Sequence, residues 1–391
     1  VGATLDWVNL VVRWVHLTAG IAWIGSSFYF IWLDRHLTTP SAPRPGVEGD
    51  IWMVHSGGFY LVEKRRIGPN DMPGVLHWFK WEAMLTWASG IVLLVVVYYL
   101  TSGALLVDPE VSSLGAGQAT LLALGALLGA WFVYDLLWRS PIGRSPIVAG
   151  AVSLVLLALV TLLFYRTLSG RAAYIHVGSL LGTLMVANVW AVILPAQQQM
   201  IDATARGEQP DFSVGEQAKR RSLHNSYMTL PVLFLMLSSH FPQTYGHRLG
   251  WLILLLLFVA GAAARHAMIG HGPRRLWALA PMAAAFIAVV IMATPRARVA
   301  TSTNTVSFAQ VRNVINTRCL TCHSAFPTDD IFRTAPNGIM FDTPQQIEVA
   351  SPRIVERAAV QQTMPPGNKT GITDSEREIL RRWVDAGARL R

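Results

Sequence analysis

Eight long apolar runs occupy the chain up to Thr294 and narrow the folds open to it more than any other feature. A helix needs about 20 mostly apolar residues to cross a hydrocarbon layer roughly 30 Å thick. The segments 9–33, 79–100, 119–138, 147–165, 172–194, 223–241, 248–268 and 276–294 qualify, the first and sixth with the most polar residues. Only 14% of the 391 residues are charged, against roughly 25% in a soluble domain, which excludes a soluble globular enzyme. Hydrophobic residues make up 52%, far too many for a disordered chain. The first run is long and lacks the small-residue cleavage site of a signal peptide.

Charge gives these runs a direction. The net charge of +9 is compatible with nucleic-acid binding, but on so apolar a chain an excess of Lys and Arg belongs to cytoplasmic loops. No nucleic-acid partner is expected. The odd-numbered loops hold 15 Lys and Arg, from Arg35, Arg44 and Lys64–Arg66 in the first to Arg265, Arg274 and Arg275 in the seventh; the even-numbered loops hold Arg166, Arg171 and Arg248. The odd loops then face the cytoplasm, and eight crossings leave both termini on the outer side of the bilayer.

Beyond Pro295 the pattern changes to mixed polar helices and Pro/Gly-rich loops. The chain divides into a membrane domain, 1–295, a small polar linker, 296–306, and a soluble domain, 307–391. The soluble domain carries the sharpest motif, Cys319-Leu-Thr-Cys322-His323. C-x-x-C-H is the attachment signature of haem c: the thiols of Cys319 and Cys322 form thioethers to the haem, and His323 is placed to bind its iron. A redox dithiol needs a βαβ setting that is absent here. The segment 308–317 reads as an N-terminal helix, and 374–390 as a C-terminal helix capped by Thr373 and Glu376. Met364, in Thr363-Met364-Pro365-Pro366-Gly367, is the expected second iron ligand, with Met340 the alternative. The expected fold is therefore all-α, an eight-helix transmembrane bundle plus a class I cytochrome c domain. Haem c is attached on the outer face of a bacterial inner membrane, so the soluble domain is expected in the periplasm, in agreement with the loop charges.

Ionisable residues within a membrane are costly and mark cofactors or cavities. His16 and His176 fall in the outer parts of the first and fifth runs, and His77 and His224 at the start of the second and sixth. Leu76-His77 and Leu223-His224 suggest a parallel 4+4 duplication. The four imidazoles are candidate ligands for a haem b or another metal centre; an interhelical hydrogen bond is the plainer reading of each taken singly. The long first loop, 52–81, mixes aromatics with Lys64-Arg65-Arg66 and could bind an anion, or simply sit at a membrane surface.

The stretch from Trp14 through His16, Gly20, Trp23 and Gly25 to Phe30 resembles the bacterial membrane-bound urate hydroxylases of the PuuD type. So do His55-Ser56-Gly57-Gly58-Phe59-Tyr60 and Lys80-Trp81-Glu82, and the C-terminal domain looks like the cytochrome c fused in that family. The resemblance implies conversion of urate to 5-hydroxyisourate, with electrons passed to haem c and on to a cytochrome or terminal oxidase. Composition and spacing do not supply the substrate. With urate as substrate, Arg65, Arg66 and Asn225 are the candidate binding residues, and Glu82 and His77 the candidate proton acceptors. The competing reading is a non-catalytic haem b/haem c subunit that passes quinol electrons to a partner complex.

Overall fold

A computed structural model describes residues 2–101, 103–270, 272–294 and 306–390. The linker expected at 296–306 lies, apart from Val306, outside the described residues. The chain is mostly helical. Seven helices among the described residues are long and apolar enough to cross a membrane: Thr4–His36, Trp81–Tyr99, Ala116–Arg139, Pro146–Thr167, Gly170–Ala205, Gly250–Ile269 and Pro273–Ala293. They contain α1 (Gly2–His36), α2 (Trp81–Leu94), α3 (Ala116–Arg139), α4 (Pro146–Thr167), α5 (Gly170–Asn188), α6 (Leu194–Ala205), α9 (Gly250–Ile269) and α10 (Leu279–Ala293). The sixth expected span, 223–241, coincides with the second half of α7 (Phe212–Leu237). This helix opens with Lys219, Arg220 and Arg221 and contains Pro231, and it is not among the seven. It nonetheless packs along both α5 and α9.

Two helices of the apolar domain change pitch. The end of α2 continues as a π-helical turn, Val95–Tyr99, and another, Val189–Ile193, joins α5 to α6. Such turns widen a helix by one residue and are frequent at functional sites. The core of the bundle lies around α5, where Tyr174, His176, Val177 and Leu180 are buried among α2, α3, α4 and α7. Gly178 lets α7 approach closely: a Cβ there would stand 3.0 Å from the Leu235 side chain.

The all-α expectation needs one correction. The first long loop holds an antiparallel hairpin of β1 (Val47–His55) and β2 (Gly58–Arg65). Ser56 and Gly57 form its two-residue turn with φ of 49° and 78°, the left-handed pair that a tight hairpin demands. The Ser-Gly-Gly run is therefore turn chemistry. Its charges are matched: Arg66 pairs with Glu48, Arg65 with Glu63, Arg44 with both Asp50 and Glu63, and Lys64 with Asp34 of α1.

A short helix, α8 (Pro242–Tyr245), joins α7 to α9. Among the described residues the C-terminal domain has three α-helices, α11 (Phe308–Arg318), α12 (Pro344–Ile354) and α13 (Asp374–Asp385). Each begins with a capping box, from Ser307, Thr343 and Thr373 respectively, which satisfies amide groups left free at a helix start. Val311, Ile315, Ile347, Leu380 and Trp383 close its core. The domain sits on the turn between α2 and α3 and on α8. Asn368 Nδ2 donates to Glu110 Oε1 at 2.5 Å, and Arg377 Nη2 lies 3.7 Å from the same carboxylate. A Cβ on Gly367 would come within 2.6 Å of the Val107 carbonyl oxygen, and one on Gly246 within 2.6 Å of the Thr363 side chain. Phe332 packs against the core of the helical bundle.

Candidate functional site

The C-x-x-C-H segment follows α11 directly. The His323 Nδ1 lies 2.9 Å from the Ile339 carbonyl oxygen. A carbonyl only accepts, so Nδ1 carries the proton and Nε2 keeps its lone pair. That is the tautomer an axial ligand needs, held by the hydrogen bond that such ligands usually make. Burial lowers the His323 pKa and keeps the ring neutral. Cys319 and Cys322 are free thiols. Burial pushes Cys319 up to about 12, and burial followed by the neighbouring Asp329 carboxylate pushes Cys322 up to about 11. A redox dithiol has a lowered thiol pKa, so the pair does not fit that chemistry.

Met364 lies on the loop that touches the helical bundle. Its amide donates to the Arg357 carbonyl at 3.1 Å, and its own carbonyl accepts from Arg377 Nη1 at 3.1 Å. Two anchors thus fix the backbone on either side of the thioether. The alternative, Met340, follows Ile339 in an extended stretch on the His323 side of the domain. The set of two thiols, one neutral imidazole with a free Nε2 and one anchored thioether fits haem c.

The structure does not bring the four membrane histidines together. His16 Nδ1 donates to the Thr86 carbonyl at 2.8 Å, and its ring lies against Gly90 of α2. His176 is fully buried; its Nδ1 donates to the Ala172 carbonyl at 2.7 Å and its Nε2 accepts from the Tyr99 hydroxyl at 3.0 Å. Tyr99 lies nine residues beyond Gly90, roughly 14 Å further along the helix at 1.5 Å per residue. The two histidines therefore meet α2 at different depths. His77 is exposed on the segment leading into α2. Among the described residues no group of three or more His, Cys, Asp or Glu is arranged to hold a metal ion.

His224 instead belongs to a polar cluster where α3, α5 and α7 meet. The Tyr134 hydroxyl lies 2.7 Å from His224 Nδ1 and accepts from Asn188 Nδ2 at 3.1 Å. Asn188 Nδ2 also donates to Asn225 Oδ1 at 2.8 Å, and Asn225 Nδ2 to the Met185 carbonyl at 2.9 Å. Arg221 is only 2% exposed, stacks 4.7 Å from the Tyr134 ring centre and pairs with Asp135 at 2.7 Å. Trp138 lies 4.1 Å from the His224 ring and forms a wall shared by two hollows. One is an apolar cavity of about 530 Å³ among α3, α4, α5 and α7; the other is a polar hollow of about 280 Å³ bearing Arg139, Arg144 and Arg220.

Of the candidate substrate residues, Asn225 alone enters this cluster. The ionic partners of Arg65 and Arg66, Glu63 and Glu48, lie within the hairpin. Glu82, in the first turn of α2, has one buried carboxylate oxygen, Oε2, with no hydrogen-bond partner. Tyr134, Asp135, Asn188 and Trp190 were not singled out by the sequence reading. A detectable signal existed for three of them, because Tyr134, Asp135 and Asn188 are polar residues inside apolar runs.

The geometry defines a multi-helix apolar domain with a polar, arginine-rich end, joined to a small C-x-x-C-H domain docked at its other end. A family model described as Urate oxidase N-terminal matches residues 2–295, and the chain belongs to that family. No curated protein matches the chain, and no solved structure does. Membership ties the chain to urate oxidation at the level of the family.

Proposed function

We propose that the protein is a membrane-bound urate hydroxylase that delivers electrons to haem c in its own C-terminal domain. Urate and water give 5-hydroxyisourate, two protons and two electrons, and haem c, when bound, accepts one electron at a time. One observation carries this reading: the Met364 loop is seated on the α2–α3 turn. The arginine-rich end lies at the far end of α3, a helix of 24 residues, or roughly 36 Å.

The chain's own groups fit the parts. Cys319 and Cys322 would hold the haem, and His323 and Met364 would ligate its iron. Glu82, with its unpartnered carboxylate oxygen, takes a proton as water adds to the purine. The odd-loop charges favour a cytoplasmic urate site and a periplasmic C-terminal domain, with α7 as the eighth crossing. The span along α3 is too long for one electron jump. Trp131, Tyr134 and Trp138 at one end, and Tyr98 and Tyr99 at the other, are aromatic groups placed along the way. The reading as a quinol-linked subunit loses support, because the family match covers the entire apolar domain.

Glu110 tests the docking. It lies outside the C-terminal domain, so Glu110→Arg leaves the haem ligands untouched while it repels Arg377. Rapid mixing with urate should show haem c reduction slowed by about tenfold for each 1.4 kcal/mol of docking energy lost. The dithionite-reduced spectrum should be unchanged. An unaltered rate would mean that electrons enter the domain by another face.

A further inference from the structure

We propose that Lys80, Trp81, Glu82 and Trp190 form the purine-anion site, an assignment that rests on the urate reading above. Lys80 caps the N-terminus of α2, and its ammonium stands 5.5, 5.7 and 5.9 Å from the ring centres of Trp78, Trp81 and Trp190. No acidic side chain pairs with it among the described residues. Three aromatic faces therefore hold a cation that lacks a counter-anion. The Trp81 and Trp190 rings meet edge to face at 5.4 Å. Trp190 lies on the π-helical turn Val189–Ile193.

Two orphaned atoms supply the second observation. Trp190 Nε1 is a buried donor without an acceptor, and Glu82 Oε2 is a buried acceptor without a donor. A buried polar group left unpaired is costly, and a ligand that paired with both would remove two such costs. Urate offers what is missing: a planar ring to stack on Trp81, a carbonyl oxygen for the Trp190 N–H, a ring N–H for Glu82 and one negative charge for Lys80. Inorganic phosphate has no N–H to give and no aromatic ring to stack, and would be repelled by Glu82. The arginine hollow beside Trp138 is the rival location. Its arginines are exposed, and Arg139 is already compensated by Asp135 at 2.7 Å.

The site lies at the start of the Trp81–Tyr99 span, 19 residues from the docked end, or roughly 28 Å away. It also lies close to the polar cluster, because Asn188 is two residues from Trp190.

Equilibrium dialysis of urate against the full-length protein in nanodiscs of zwitterionic lipid tests the assignment. Trp190→Phe keeps the ring and removes the N–H, and should weaken binding about tenfold. Lys80→Met should weaken it by at least as much. Arg144→Gln and Arg220→Gln should leave the Kd within about twofold. Reduction of haem c by ascorbate should be the same in all four variants, which checks that each is folded. Unchanged affinity in Trp190→Phe and Lys80→Met overturns the site, as does a loss confined to the two arginine variants. A parent protein that neither binds nor oxidises urate overturns the urate reading itself.

Discussion

Replacing Met364 by alanine should leave the haem attached, abolish low-spin His/Met ligation and lower the reduction potential. Attachment depends on Cys319 and Cys322, which the change does not touch. The potential falls because a thioether raises it relative to stronger donors, and axial ligands command a range of roughly 0.8 V. The loop itself should survive, since its anchors are the backbone bonds to Arg357 and Arg377. With the potential lowered, urate should reduce the haem only partly. Met340→Ala, the control, should change neither spectrum nor potential. The spectrum and a redox titration of both variants decide between the two methionines.

Asp135→Ala should be the most destabilising single change in the helical domain. It leaves Arg221, 2% exposed, without its carboxylate. Removing one partner of a buried pair costs about 3–5 kcal/mol. One Arg221 nitrogen, Nη1, already has no hydrogen-bond partner, and the long contact of Nη2 with the Asp135 backbone carbonyl, at 3.5 Å, brings no negative charge. Arg139 pairs with the other oxygen of Asp135, but its side chain is 53% exposed, and Arg139→Gln should cost under about 1 kcal/mol. Asp135→Ala combined with Arg221→Met should recover most of the loss, because the uncompensated charge is then gone. Thermal unfolding of the detergent-solubilised protein, followed by tryptophan fluorescence, should rank the three variants in that order. Equal melting temperatures for Asp135→Ala and Arg139→Gln would show that the Arg221 pair is not the buried element described here.

Much of the architecture is written in the apolar runs, because a membrane span must be long and nearly uncharged. The capping box at Thr373 and Glu376 is also legible, since it depends on two residues three apart. The hairpin is not. Its alternation is interrupted by Gly-Gly and by charges, and those charges read as an anion site until Glu48, Asp50 and Glu63 are seen in ion pairs with them. Arg221 reads as a loop charge because its neighbours Lys219 and Arg220 are exposed, whereas helical spacing turns it inward to Asp135. Asp135 itself, an acid inside an apolar run, calls for a cationic partner that only the packing of α3 on α7 supplies. The proton positions on His16, His176 and His323 come from the carbonyl that each ring faces, which no spacing rule reveals. The duplicated Leu-His pattern points to paired imidazoles, yet His16 and His176 meet α2 at separate depths.

Electrons from urate should reach haem c within one chain. Anaerobic mixing of urate with the full-length protein, with no quinol added, tests it directly through the absorbance of haem c. The haem should become reduced, with two haems reduced for each urate consumed, since water supplies the oxygen atom. A haem that stays oxidised under these conditions, while urate is consumed in air with equal amounts of peroxide formed, would contradict the account and make the protein a direct oxidase.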